Sequence, residues 1–270
     1  MTLLVIGFVW ISALAIGTAQ AYELLGFASN SPEKTFGAVL MAAAVIAGYK
    51  TYKHWIERAP DTELPLAGAM PELSAGLAIG AMLFSLMTGI VALLGGFEVL
   101  GIRGAGQIWT MLAIAIVSGT MEEVLFRGIM LRHLETLAGT VGALVITSAL
   151  FGLGHITNPD ATWFSSFAIA LEAGILLGAA YLYTRRLWLA VGIHAAWNFT
   201  QGWVFSVPVS GGDAPLGLLI TRRVGPDWLT GGDFGLEASV VAMVVATGAG
   251  LLLLVLAHRR GHFITPMWRR

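Results

Sequence analysis

Long apolar runs separated by short polar stretches set the pattern of this chain. A membrane-spanning helix needs roughly 20 mostly apolar residues. Eight stretches approach that length: residues 3–19, 35–52, 73–94, 108–131, 141–156, 163–183, 187–205 and 238–257. The fifth is the shortest. Gly174, Gly178, Ala179 and Ala180 in the sixth are the small residues that let membrane helices pack closely. No internal repeat and no low-complexity tract is present. The pattern predicts an all-α, polytopic membrane protein, with about eight transmembrane helices in one bundle and residues 1–270 as a single domain.

Composition sharpens this. Of the residues, 57% are hydrophobic and 11% charged, with a mean hydropathy of +0.79. A soluble domain carries about 25% charged residues, so a water-facing globular enzyme is excluded, and disorder with it. Net charge is −1, which offers no basic surface to nucleic acid. Cysteine is absent, which removes disulfides, thiolate catalysis and cysteine-ligated zinc.

Lys and Arg set the orientation. With a cytoplasmic N-terminus, Lys50, Lys53, Arg58, Arg127, Arg132, Arg185, Arg186, Arg259, Arg260, Arg269 and Arg270 fall on or near the inside. Only Lys34, Arg103, Arg222 and Arg223 fall outside. An even number of spans then puts both termini in the cytoplasm. The first stretch ends in Ala19-Gln20-Ala21, which fits a cleavable signal peptide, but no Lys or Arg precedes it to supply the charged leader. The longest connection, 206–237, holds the turn signals Gly211-Gly212-Asp213, Gly225-Pro226-Asp227 and Gly231-Gly232-Asp233. A connection this long is a lid or an ordered cap over helix ends.

Ionisable residues inside spans are costly and functional by default. The fourth stretch carries Glu122-Glu123…Arg127. Glu123 and Arg127 are i,i+4 and share a face, so they pair. Glu122 is turned about 100° away and is left without a local partner. The fifth stretch carries Phe151…His155, and the seventh His194…Asn198, again i,i+4. Taken singly, His155 reads as a satisfied interhelical bond, and His194 with Asn198 as helix glue. Together, two acids, two histidines and an asparagine on three apolar stretches favour a converging site.

Such a site has a complete set for hydrolysing an amide. A carboxylate in apolar surroundings makes a good general base near neutral pH. Glu122 takes a proton from water, and His155 orients that water or shares the proton. His194 and Asn198, one turn apart, supply N–H donors to the oxyanion. Other protease chemistries fit less well. The zinc motif H-E-x-x-H is absent. Ser118 and Ser148 lack a G-x-S-x-G setting, although Ser148 with His155 is a serine-pair alternative. The loop aspartates Asp213 and Asp233 are not in spans and make no membrane dyad. No cofactor is expected, although Glu122, Glu123, His155 and His194 are reasonable ligands for a divalent metal.

These three stretches resemble the motifs of the CPBP family, the CAAX prenyl endopeptidases and bacteriocin-processing or immunity proteins: E-E-x-x-x-R, F-x-x-x-H and H-x-x-x-N in that order. The resemblance covers about 108–205, the catalytic core. The first three stretches and the last match in general character only. It implies an eight-helix intramembrane endopeptidase of a bacterial or archaeal plasma membrane, acting on a peptide or protein substrate in contact with the lipid bilayer. In it Glu122 and His155 activate water, His194 and Asn198 form the oxyanion hole, and Glu123 with Arg127 supports the site. The substrate does not carry over: some members cleave prenylated C-terminal peptides, others process or resist small secreted peptides.

Glu172, in the sixth stretch, has no arginine one turn away. It is expected to hydrogen-bond to a catalytic histidine or to another helix. At 1.5 Å per residue, Glu122 lies about 15 Å and His194 about 12 Å from the inner edge, with the cavity opening to the cytoplasm. His155 comes out about 21 Å deep, so the fifth helix must start below the edge or tilt. Two other classes compete: a non-catalytic immunity or regulatory module that binds a peptide in the same pocket, and a proton-coupled transporter, against which the lack of a repeat counts.

Overall fold

The computed structural model describes residues 1–269; Arg270, counted above among the inner cations, lies outside them. Helix accounts for 71% of the chain and strand for 4%, so the fold is a helical bundle with a small ribbon. The helices are α1 (Thr2–Leu24), α2 (Pro32–Glu57), α3 (Ala69–Leu93), α4 (Ile108–Glu123), α5 (Arg132–Gly154), α6 (Trp163–Thr184), α7 (Trp188–Phe199) and α8 (Val240–Arg259). Their starts are written locally. Ser31 Oγ accepts from Lys34 N–H at 3.2 Å, with Pro32 as the first helical residue of α2. Thr162 and Ser165 cap each other at the head of α6, and Ser239 Oγ accepts from Ala242 N–H at the head of α8. Side-chain oxygens at these positions satisfy the orphan N–H groups of a first turn.

Eight spans were expected; by length and apolarity six stretches qualify, one of them the 47-residue run Ile108–Gly154. At 1.5 Å per residue that run is about 70 Å long, more than twice an apolar core of about 30 Å. It is not one rod: the backbone leaves helical geometry at Gly139 (φ 71°, ψ 171°). The expected seventh span is α7, 12 residues long and extended by the five residues Thr200–Val204.

The all-α expectation misses one element. β1 (Phe97–Ile102) pairs antiparallel with β2 (Leu219–Arg223), with an irregularity between Val99 and Gly101. The 206–237 connection is therefore not plain loop. It contains β2, the single turn Asp227–Thr230 and the start of the turn Leu236–Ala238. Phe97 packs edge-on against Phe205 with ring centroids 5.9 Å apart, which seats the ribbon on the bundle.

Close helix contacts place the motif helices. On α3 and α7, side chains at Gly76, Gly80 and Gly192 would meet facing backbone at 2.3–2.5 Å, so only glycine permits this approach. The core falls in two parts. Near the ribbon, Phe84, Met87, Leu176, Ile193 and Trp197 pack together. At the other end of α4, Tyr49, Tyr52, Leu131, Leu182 and Leu187 do so.

That far end also holds a buried ionic cluster. Lys53 Nζ lies 3.2 Å from Glu57 and 3.2 Å from Glu63. Arg132 pairs with Glu57 and lies 3.7 Å from Glu63, and His133 Nε2 is 2.7 Å from Glu57. Nearby, the segment after α8 staples the fold-back point. Thr140 N–H donates to Ile264 O at 3.0 Å, and Ile264 N–H donates to Thr140 Oγ1 at 2.8 Å. Arg185 holds both Glu135 (2.6 Å) and the His262 carbonyl.

Candidate active site

The first motif lies on the last turn of α4, just before its backbone widens into i→i+5 turns over Val124–Leu131. Similar widened turns follow Asn198, over Thr200–Val204, and surround Glu172, over Ala170–Gly174. Such turns re-aim side chains and recur at functional sites.

Glu123 is fully buried. Its Oε1 accepts from Arg127 Nη1 at 2.8 Å and from His194 Nδ1 at 2.9 Å. Arg127 also donates to the carbonyls of Ala173 (3.1 Å) and Gly174 (3.3 Å) on α6, and its guanidinium lies over the Phe151 ring at 4.6 Å. One ion pair thus ties α4, α5, α6 and α7 together. A carboxylate only accepts, so the bond to Glu123 puts a proton on His194 Nδ1. His194 Nε2 faces Glu122 Oε2 at 4.0 Å, too long for a direct hydrogen bond. That Glu122 oxygen is buried and has no hydrogen-bond partner.

Asn198, one turn beyond His194, donates from Nδ2 to Ser118 Oγ at 2.9 Å. Ser118 in turn donates to Ile114 O at 2.9 Å, which fixes the amide's orientation. The sequence reading passed over Ser118 in this role; its only signal was a hydroxyl one turn before Glu122. His155 is placed differently from expectation. It is the residue that ends α5 (φ −91°, ψ −4°), not one inside the span, because the chain turns at His155–Asn158. Its Nδ1 bonds to Phe151 O at 2.8 Å. A carbonyl also only accepts, so Nδ1 carries the proton and Nε2 is left to accept.

His155, His194 and Asn198 line one cavity of about 30 Å³, together with Glu172, Ser210 and Glu237. Glu122 is not on its wall and reaches it through His194. No hydrogen bond joins His155 to Glu122. Glu172, expected to bond a catalytic histidine, bonds neither; its charge acts on Glu237. Ser210 and Glu237 place the cavity under the 206–237 connection, on the ribbon side. Glu237 was missed because it lies where a polar loop ends. Burial pushes its carboxyl up to about 7, against hydrogen bonds from Ser210 and Gln201. The serine-pair alternative has no geometry, since Ser148 Oγ makes no hydrogen bond. Among the described residues no group of three or more His, Asp or Glu is arranged to hold a metal ion.

The site is a buried glutamate–arginine–histidine network on the helices of an apolar bundle. Residues 104–200 of the stretch that carries it match the family described as type II CAAX prenyl endopeptidase, Rce1-like. No curated protein and no solved structure matches the chain. The family acts as proteases in membranes, so a peptide or protein is the substrate class it implies.

Proposed function

We propose that this protein is an intramembrane endopeptidase in which Glu122 activates water without a metal. The observation that carries this is the division of labour between adjacent carboxylates. Glu123 is held by Arg127 and His194, while Glu122 Oε2 is buried, unpartnered and beside His194. Water gives a proton to Glu122 as its oxygen attacks the carbonyl carbon. His155 Nε2 accepts the water's other hydrogen bond. The carbonyl electron pair becomes an oxyanion, which His194 Nε2 and Asn198 Nδ2 stabilise. Because His194 Nδ1 already donates to Glu123, the ring serves this step with both nitrogens protonated. On collapse the C–N bond breaks and the amine takes the proton from Glu122, so atoms and charge balance.

The same reading places residues 108–205 as the catalytic core of one membrane domain. It counts α4, α5 and α7 as separate crossings, eight in all, with both termini cytoplasmic. The break at Gly139 and the distribution of Lys and Arg support it. The test is cleavage of a mixed peptide library by the purified protein in detergent, with and without chelator, beside Glu122→Gln. Cleavage that survives chelator and is lost in the variant is the expected result. Cleavage abolished by chelator and restored by zinc sinks the metal-free step. Full biological function in Glu122→Ala favours a peptide-binding module instead.

A further inference from the structure

We propose that a groove on the outer face of the bundle, between α5, α6 and α8, holds one acyl chain of an anionic glycerophospholipid, with the headgroup against His258 and Arg259 at its mouth. This goes beyond the peptidase reading and does not depend on it.

The groove is walled by Val145 and Ala149 of α5, Leu171 of α6, and Leu251 and Leu254 of α8. It encloses about 400 Å³, against about 30 Å³ for the cavity at the candidate site. No charged side chain lines it, and its only polar side chains are the hydroxyls of Thr140 and Ser148. The Thr140 hydroxyl is already given to Glu135. Water needs two to four polar partners to stay in such a space; a hydrocarbon chain needs none.

Phe263, beyond the end of α8, closes the groove, and there the chemistry changes. His258 stands four residues after Leu254 and seven after Leu251, so all three share one face of α8. Its ring meets Phe263 edge-on, with centroids 5.1 Å apart. Arg259 and Arg260 follow, both exposed. Arg260 stacks on the Tyr183 ring at 3.8 Å and donates to the Tyr183 hydroxyl at 2.7 Å, which leaves its charge unmatched. The Arg259 guanidinium has no hydrogen bond or ion pair among the described residues. From Ala238 to the last residue the sequence holds no Asp or Glu. Glu135, which shares Arg185 with the His262 carbonyl, is already matched by two hydrogen bonds from Arg185 of 2.6 and 2.9 Å. The positive charge is therefore left for a molecule outside the chain. Trp268, 71% exposed, is the kind of side chain that sits at headgroup level. An apolar channel that ends in unneutralised cations at that level matches a phospholipid of net negative charge.

The groove lies behind the candidate site. Ala170 and Leu171 line the groove, while Glu172 and Ala173, on the same widened turn, line the cavity.

The test uses the full-length protein in detergent, titrated with phosphatidylglycerol or with phosphatidylcholine of the same chains. Native mass spectrometry counts the bound lipid. One phosphatidylglycerol should bind in preference, and glycerophosphoglycerol, the headgroup without chains, should not compete for it. Arg259→Gln should cut the preference about fivefold and leave phosphatidylcholine binding unchanged. Ala149→Trp fills the groove from an exposed position and should remove binding of both lipids. Should that variant fail to fold, Val145→Trp, at a 62% exposed position, takes its place. Equal binding of the two lipids by the wild type overturns the proposal. So does phosphatidylglycerol binding undiminished by the tryptophan, which would leave only a basic surface. A dimer lost in the tryptophan variant with lipid binding unchanged would make the groove a contact between copies, and overturns it too. Peptide cleavage enters none of these readings.

Discussion

The molecule buries two ionic clusters, one at each half of the motif helices, and they are built on opposite principles. In the cluster of Lys53, Glu57, Glu63 and Arg132, two cations meet two carboxylates, and all four carboxylate oxygens lie within 3.7 Å of a cation. In the cluster of Glu122, Glu123, Arg127 and His194, two carboxylates meet one guanidinium and one imidazole. There Glu122 Oε2 and Glu123 Oε2 have no hydrogen bond; in the first cluster Glu63 Oε2 has none either, but it lies 3.2 Å from Lys53 Nζ. A buried acceptor left unpaired costs about 1–3 kcal/mol. The first cluster is closed and holds helices together. The second keeps acceptors open at a standing cost, which is the mark of a group kept for a visiting molecule.

The contrast can be broken by substitution. The largest effect is expected for Glu122→Gln. Removing a general base lowers kcat by about 10²–10⁴, while thermal unfolding in detergent should not shift. Equal losses of activity and stability would place Glu122 with the structural cluster. Glu57→Ala should do the reverse. Breaking a closed buried pair costs about 3–5 kcal/mol, seen in unfolding curves, with kcat of the surviving folded fraction unchanged. Asn198→Ala should lower kcat by about 10²–10³, the usual cost of one oxyanion donor, with KM little changed. Ser118→Ala should do least, about tenfold or less through the orientation of Asn198. A fall larger than that of Asn198→Ala would give Ser118 a direct role.

Much of the site was legible because its logic is local. The i,i+4 spacing of Glu123 and Arg127 forms its pair at 2.8 Å, and the single-residue offset of Glu122 leaves it outside that pair. The order of three motifs on separate apolar stretches was enough to see the resemblance that the match over residues 104–200 bears out. What escaped the sequence depends on distant pairing. β1 and β2 are each short, and neither is stable without the other. Glu237 reads as loop until the cap folds back and buries it. Lys53 and Arg132 read as charges marking the inner edge, although their side chains turn inward to Glu57. The fifth stretch was expected to run to residue 156 and the helix ends two residues sooner, at Gly154, since nothing in Gly152-Leu153-Gly154 distinguishes a span from its last residues.

The staple at Gly139 has a consequence for biosynthesis. A side chain there would strike Pro266 and the Ile264 carbonyl at 2.8–2.9 Å, and Thr140 exchanges two hydrogen bonds with Ile264. Residues 262–266 are translated after every helix they hold. The break at Gly139 within α5 therefore emerges from the ribosome long before its clasp does. Until residues 262–266 arrive, that break lacks its two hydrogen bonds to Ile264.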